Sequence, residues 1–132
     1  MSVVVLDAYG LFTYLERESG YAQVKAYLER AATSGRNLLL CVVNWGEVYY
    51  TFTRESGRDK AEDIKRIIET LPIEVVPADL SLTRQAALYK ASYKMSYADC
   101  FAAALAKTRQ ATLVTGDKDF KQVEGEVNVH WL

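Results

Sequence analysis

The stretch Val3-Val4-Val5-Leu6-Asp7 decides how the rest of the chain reads. A strand with one wet face alternates apolar and polar residues. An unbroken apolar, β-branched run instead suits a strand buried on both faces, as in a parallel sheet. The run then stops on a carboxylate. In open α/β sheets, the carboxyl end of a strand is where ligands bind. The same five residues therefore point to a fold class and to a place within it where chemistry is expected.

Three further runs have the same character: Leu38-Leu39-Leu40-Cys41-Val42-Val43, Ile73-Glu74-Val75-Val76 and Thr112-Leu113-Val114-Thr115. All four are expected to be buried on both faces. A fifth run, Val127-Asn128-Val129-His130-Trp131, alternates and predicts an edge strand. Between them lie helical patterns. Tyr21–Thr33 carries a 3.6-residue apolar stripe that Ser34-Gly35 closes. Asp59–Leu71 aligns Ile64, Ile67, Ile68 and Leu71, and Pro72 stops it. Leu80–Tyr93 and Tyr97–Arg109 are two more, the second opened by a capping-box pattern of Ser96 with Asp99. The order reads β, two helices, β, two helices, β, two helices, β, short loop, β. That alternation predicts an α/β three-layer sandwich around a mainly parallel five-stranded sheet, as one domain over residues 1–132.

Composition narrows the chemistry. With 16 Lys+Arg against 17 Asp+Glu among 132 residues, the chain has no broad basic surface for coating nucleic acid. A nuclease that binds through local basic residues or cations remains compatible. One His and two separated Cys cannot build a His/Cys zinc cluster, which needs about four ligands. His130 has no neighbouring Ser or Cys on which to act as a base. Cys41 and Cys100 read as buried or partly buried thiols of a reducing compartment. The short apolar start is interrupted by Asp7 and does not resemble a signal peptide. No stretch approaches the roughly 18 apolar residues of a membrane span. A cytoplasmic location is expected.

Most acids, such as Glu62, Asp63 and Glu69, sit among other charges on solvated helix faces. Four do not. Asp7 ends the first strand, and Asp117 follows Thr-Leu-Val-Thr-Gly just past the fourth, so both fall at one sheet edge. Glu47 stands without another charge from Val42 to Thr53. Asp99 has Ala102 and Ala103 as its i+3 and i+4 neighbours, a small apolar face. Each acid has an ordinary structural role open to it: Asp7 as a helix cap, Asp99 as a first-turn dipole partner, Asp117 and Asp119 as an Asp-rich turn. Glu47 is hardest to place that way, because Glu is rarely buried unpaired. Together they imply one acidic pocket. Crowded carboxylates raise one another's pKa, and a hard divalent cation relieves that crowding. An all-oxygen set suits Mg²⁺ or Mn²⁺, and such sites support phosphodiester hydrolysis.

The set Asp7, Glu47, Asp99 and Thr115-Gly116-Asp117-Lys118-Asp119-Phe120 resembles the PIN-domain ribonucleases, most of all the VapC toxins of bacterial and archaeal toxin–antitoxin pairs. The resemblance spans almost the whole chain. It covers the opening strand that ends in Asp7, the third helix opened by Glu47, the penultimate helix begun by Asp99, and the closing Thr-x-Asp-x-Asp-Phe. It implies a PIN-like fold and a catalytic, metal-binding quartet of Asp7, Glu47, Asp99 and Asp117, with Asp119 as a fifth ligand. Thr115 would support the site through its hydroxyl. Asn44 and Cys41 stand where many relatives carry Ser or Thr; Asn44 can still hydrogen-bond and cap the Glu47 helix, and Cys41 is a poorer donor. The implied activity is a Mg²⁺- or Mn²⁺-dependent endoribonuclease, the toxin of a toxin–antitoxin pair. The implied partners are an RNA substrate and a cognate antitoxin.

Arg54, Arg58, Lys60, Lys94 and Lys118 are the candidate phosphate contacts. Nine Tyr, two Trp and four Phe, with Tyr49, Tyr50 and Phe52 close together on one helix, predict outward-facing aromatics and a homodimer. The other reading of weight is a PIN nuclease of RNA maturation or decay outside any toxin pair. A response-regulator receiver would need paired acids after the first strand, and Asp7 stands alone there. A haloacid-dehalogenase-like phosphatase would need Asp-x-Asp, which Asp7-Ala8-Tyr9 lacks. A catalytically dead PIN domain would not keep an intact quartet.

Overall fold

A computed structural model describes residues 3–132. Its five strands are β1 (Val4–Leu6), β2 (Leu38–Cys41), β3 (Ile73–Val76), β4 (Thr112–Thr115) and β5 (Asn128–Trp131). Six α-helices join them: α1 (Ala8–Leu15), α2 (Tyr21–Ser34), α3 (Val42–Ser56), α4 (Arg58–Thr70), α5 (Leu80–Ser92) and α6 (Tyr97–Thr108). A 3₁₀ helix over Lys118–Val123 links β4 to β5. The strands form one sheet in the order β3-β2-β1-β4-β5, and every pairing is parallel. The mainly parallel sheet expected from the apolar runs is thus parallel throughout.

Both faces of the sheet are covered. Val5, Leu39 and Leu113 are in register and point into a core shared with α5 and α6. Val4, Leu6, Leu38 and Val114 point the other way, onto Val24, Leu28 and Ala31 of α2. Leu40 meets α1, α3 and α4 through Leu11, Val48, Phe52, Ile64 and Ile68. α6 is the most buried helix, with every residue from Cys100 to Ala106 inside. Its alanines leave the backbone free to lie close to the sheet and to both flanking helices. Both cysteines are buried free thiols, as expected.

Two strand expectations need correcting. The second apolar run does not remain extended to Val43: the strand ends at Cys41, and Val42-Val43 begin α3. The ladder itself ends there. Leu40 faces Leu6, the last residue of β1, and Cys41 faces Val76, which precedes Pro77. With no partner beyond that point, helix is the way left to satisfy the backbone. The third run is not buried on both faces either, because β3 is an outer strand, with Glu74 and Val75 exposed. The outer position of β5 agrees with its alternating pattern.

The strand order reverses at β1. The chain runs outward through β2 and β3, then crosses back to β4 on the other side of β1. The carboxyl ends of β1 and β4 are therefore neighbours at the topological switch point, where open α/β sheets form their ligand crevice. α1 comes very close to β4 here. A Cβ on Gly10 would lie 3.0 Å from the Val114 carbonyl oxygen and 3.1 Å from Leu6 Cδ2. A glycine lets the first turn of α1 approach the strand this closely without displacing its neighbours.

Candidate active site

Asp7 leaves β1 and is the N-cap of α1. Its Oδ1 accepts the Gly10 backbone N–H at 2.8 Å, so the capping role open to it in the sequence is filled. Its Oδ2 is also engaged, accepting the Thr115 hydroxyl at 2.5 Å. Thr115 Oγ1 in turn accepts the Asp117 N–H at 3.0 Å, and Asp117 Oδ1 accepts the Asp119 N–H at 2.9 Å. One chain of hydrogen bonds thus runs from the end of β1, through the end of β4, into the 3₁₀ helix. It fixes three acids relative to one another.

The other two acids come from helices on opposite faces of the sheet. Asp99 lies in the first turn of α6, where the Ser96 hydroxyl caps its backbone N–H at 3.1 Å. Glu47 lies in the second turn of α3 rather than at its opening. Asn44 joins the two helices: its Nδ2 donates to Glu47 Oε1 at 3.0 Å and to the Ala98 carbonyl at 3.1 Å. Asn44 is fully buried, and its Oδ1 has no protein partner. It does not cap α3, whose N-cap is Cys41, with no side-chain cap bond. The physical reason is the early start of the helix, which places Asn44 inside the first turn.

The electrostatics match crowded acids. Burial pushes the Asp7 carboxyl up to about 7, against the pull of its bonds from Thr115 and Gly10, with Asp99 and Asp117 adding to the rise. Asp99 also rises to about 7, chiefly through burial, then through the charges of Asp117 and Glu47. Glu47 is raised by burial and by Asp117, with Asn44 opposing. Asp7, Glu47, Asp99 and Asp117 therefore act on one another electrostatically, as one pocket requires.

Within that pocket, Asp99, Asp117 and Asp119 each offer a carboxylate oxygen, all within 4.8 Å of one another. Three hard oxygen donors at that spacing fit a divalent cation of the Mg²⁺ or Mn²⁺ class. Asp7 and Glu47 act on Asp99 and Asp117 through their charges, each already bonded to a protein donor. Asp119, fifth in the sequence reading, is thus one of the three tightest. Of the candidate phosphate contacts, Lys118 lies between two members of the trio. Arg54 lies seven residues beyond Glu47, about 10 Å along the helix axis, with its guanidinium over the Tyr50 ring. Arg58 and Lys60 follow still later, in α4.

One neighbour escapes a search for acids. The Tyr9 ring rests on Gly116, so that a Cβ there would lie 2.3 Å from Tyr9 Cε1. Nothing in the spacing of Tyr9 announces this, because the contact joins α1 to a loop more than 100 residues away.

The PIN domain family matches residues 4–126, and the chain belongs to it. No curated protein sequence matches the chain. Solved structures do. The VapBC2 complex of Rickettsia felis, bound to a promoter DNA fragment, aligns over 98% of each chain with a TM-score of 0.76 and 16% identity. VapBC from Salmonella typhimurium, also DNA-bound, aligns over 98% of each chain at 0.74 and 15%. VapC20 of Mycobacterium tuberculosis, a sarcin–ricin loop cleaving toxin, aligns over 96% of this chain and 98% of its own, at 0.72 and 17%. At such identities the likeness establishes the fold.

Proposed function

We propose that this chain is a Mg²⁺- or Mn²⁺-dependent endoribonuclease, one domain over residues 1–132, acting as the toxin of a toxin–antitoxin pair. The observation that carries this is the convergence of Asp99, Asp117 and Asp119 within 4.8 Å at the β1/β4 switch point, backed by Asp7 and Glu47. Membership of the PIN family and the fold shared with VapC20 support the same reading.

Asp99, Asp117 and Asp119 would hold the cation, with Asp7 and Glu47 completing the negative field around it. A bound Mg²⁺ or Mn²⁺ supplies a polarised water and a counter-charge for the phosphate. The chain's own contribution is placement. Thr115 holds Asp7 and the Asp117 backbone together, and Asn44 holds Glu47 against the start of α6. In the absence of a cation, the raised pKa values keep a proton on part of this set near neutrality, which limits repulsion.

The partners follow from the same charge. Acids this crowded would accept a guanidinium in two-pronged fashion, so a cognate antitoxin would inhibit with an arginine-bearing segment. Exposed Tyr50, Leu80 and Leu88 leave apolar surface for a homodimer. No described helix is long and apolar enough to cross a membrane, and a cytoplasmic location suits an RNA substrate.

The test is to incubate the purified protein with total bacterial RNA, with Mg²⁺ or with chelator, and to map the new ends by sequencing. Discrete cuts only with metal, and growth arrest on expression in a bacterial host, are expected. Cuts without growth arrest would favour RNA maturation or decay. No cuts under any condition would overturn the nuclease reading.

A further inference from the structure

Tyr9 stands apart from the other exposed aromatic residues. It is 45% exposed, and it sits two residues after Asp7 in the first turn of α1. A single exposed tyrosine is ordinary. Its neighbour is not. The far end of the Tyr9 ring occupies the space above Gly116: a Cβ there would lie 2.3 Å from Cε1, 2.6 Å from Cζ and 2.8 Å from the hydroxyl oxygen. Gly116 does not have a positive φ, so its backbone does not call for glycine. The ring fills the space that a Cβ would take. Gly116 is also the residue between Thr115 and Asp117, so the ring lies against the loop that carries the acid cluster.

Among the described residues no hydrogen bond is made by the Tyr9 hydroxyl; the side-chain bond at this residue runs from Thr13 Oγ1 to the Tyr9 backbone carbonyl. One edge of the ring lies against the glycine, while much of its surface stays open to solvent. A half-open aromatic ring laid against the loop that carries the acid cluster has the form of a stacking platform. Every nucleobase has a π-face, and stacking on an aromatic residue is worth a large factor in affinity per base.

We propose that Tyr9 stacks an unpaired nucleobase of the RNA next to the scissile phosphate, and so positions the substrate over the acid cluster. This rests on the nuclease reading above. Tyr9 is a positioning residue: it binds the base and takes no part in the proton or phosphoryl chemistry. The substrate it selects is single-stranded at the cut, because inside a duplex both faces of a base are covered by its stacked neighbours.

The test uses a short single-stranded RNA carrying 2-aminopurine, whose emission falls when it stacks. Binding is read with Ca²⁺ as the cation, and cleavage with Mg²⁺. Wild type, Tyr9→Phe and Tyr9→Trp are expected to quench the probe, since each keeps a ring. Tyr9→Leu is expected not to quench, and to raise KM about fivefold or more, the low end of the value of one stacked base, with kcat little changed. Quenching by Tyr9→Leu equal to wild type would overturn the proposal. Loss in Tyr9→Phe as large as in Tyr9→Leu would also overturn it, because the hydroxyl and not the ring would be responsible. Wild type that cuts RNA without quenching refutes stacking and leaves the nuclease reading standing. Wild type that neither quenches nor cuts refutes both.

Discussion

The buried Asn44 amide donates to Glu47 Oε1 at 3.0 Å and to the Ala98 carbonyl at 3.1 Å, so one nitrogen joins the two acid-bearing helices across 54 residues. The bond to Ala98 sets the start of α6 against α3, and Asp99 is the next residue. The bond to Glu47 pulls against the burial that raises that carboxyl. A single amide thus helps set both the spacing and the charge of the pocket.

Asn44→Ala should therefore cost more than its size suggests. It removes two part-buried hydrogen bonds, to Glu47 and to the Ala98 carbonyl, each worth about 0.5–1.5 kcal/mol. It also removes the group that favours ionised Glu47. The expected result is a lower urea midpoint with an unchanged m-value, together with weaker stabilisation by Mn²⁺. An Asn44→Ala protein as stable as wild type would mean the bridge contributes nothing.

Metal-free stability should fall as pH rises from 5 to 7.5. Asp7 and Asp99 are each raised from 3.8 to about 7 by folding. Between those values the folded state binds more protons than the unfolded state, so the unfolding free energy has a negative slope with pH. The stabilisation is full below the unfolded pKa and is gone once pH has passed the folded one. The fall should exceed about 1.4 kcal/mol, the value of a single pKa unit. Thermal melts in chelator would measure it. Added Mg²⁺ should flatten the slope, since the cation favours the ionised acids. A melting temperature that rises over the same range in chelator would contradict the crowded-acid account.

Asp99→Asn should separate site from scaffold by stability alone. The cap of α6 is the bond from the residue-99 backbone N–H to the Ser96 hydroxyl, and Asn keeps it. In chelator at pH 7.5 the variant should be as stable as wild type or more so, because a like charge facing Asp117 and Glu47 is gone. In Mg²⁺ the order should reverse. A loss that is the same with and without metal would make Asp99 a structural residue.

Light scattering at tens of micromolar should give a mass twice the chain's 14.9 kDa. Of the aromatic residues grouped on α3, Phe52 is buried, whereas Tyr50 remains 52% exposed. Leu80 and Leu88 of α5 add exposed apolar surface. A monomer at that concentration would remove the dimer from the account.

Much of the site was legible because acids at the ends of apolar runs are conspicuous. Asp7 after Val-Val-Val-Leu and Asp117 after Thr-Leu-Val-Thr-Gly had to share one sheet edge if the sheet was parallel. The structure puts β1 beside β4 and brings them together. Glu47 and Asp99 stood out because their apolar neighbours have no charge to pair with them. Less legible was the end of β2. Val42-Val43 reads as strand or helix equally well, and what stops the strand is the end of its partners, which local sequence does not record. The outer position of β3 was hidden for a related reason, since sheet order is a long-range property. The Asn44 bridge and the Tyr9 contact join residues 54 and more than 100 positions apart. No periodicity or spacing encodes such pairs.

The acid cluster is proposed here as a metal-dependent ribonuclease site. Its most direct test is the rate at which wild type and Asp99→Asn cut one single-stranded RNA in Mn²⁺ and in chelator. Wild type should cut in Mn²⁺ and not in chelator. The variant, with one of the three clustered carboxylates replaced, should be slower by at least about a hundredfold, the scale of losing one preorganised electrostatic group. Equal rates for the two proteins, or cutting by wild type in chelator, would contradict the assignment.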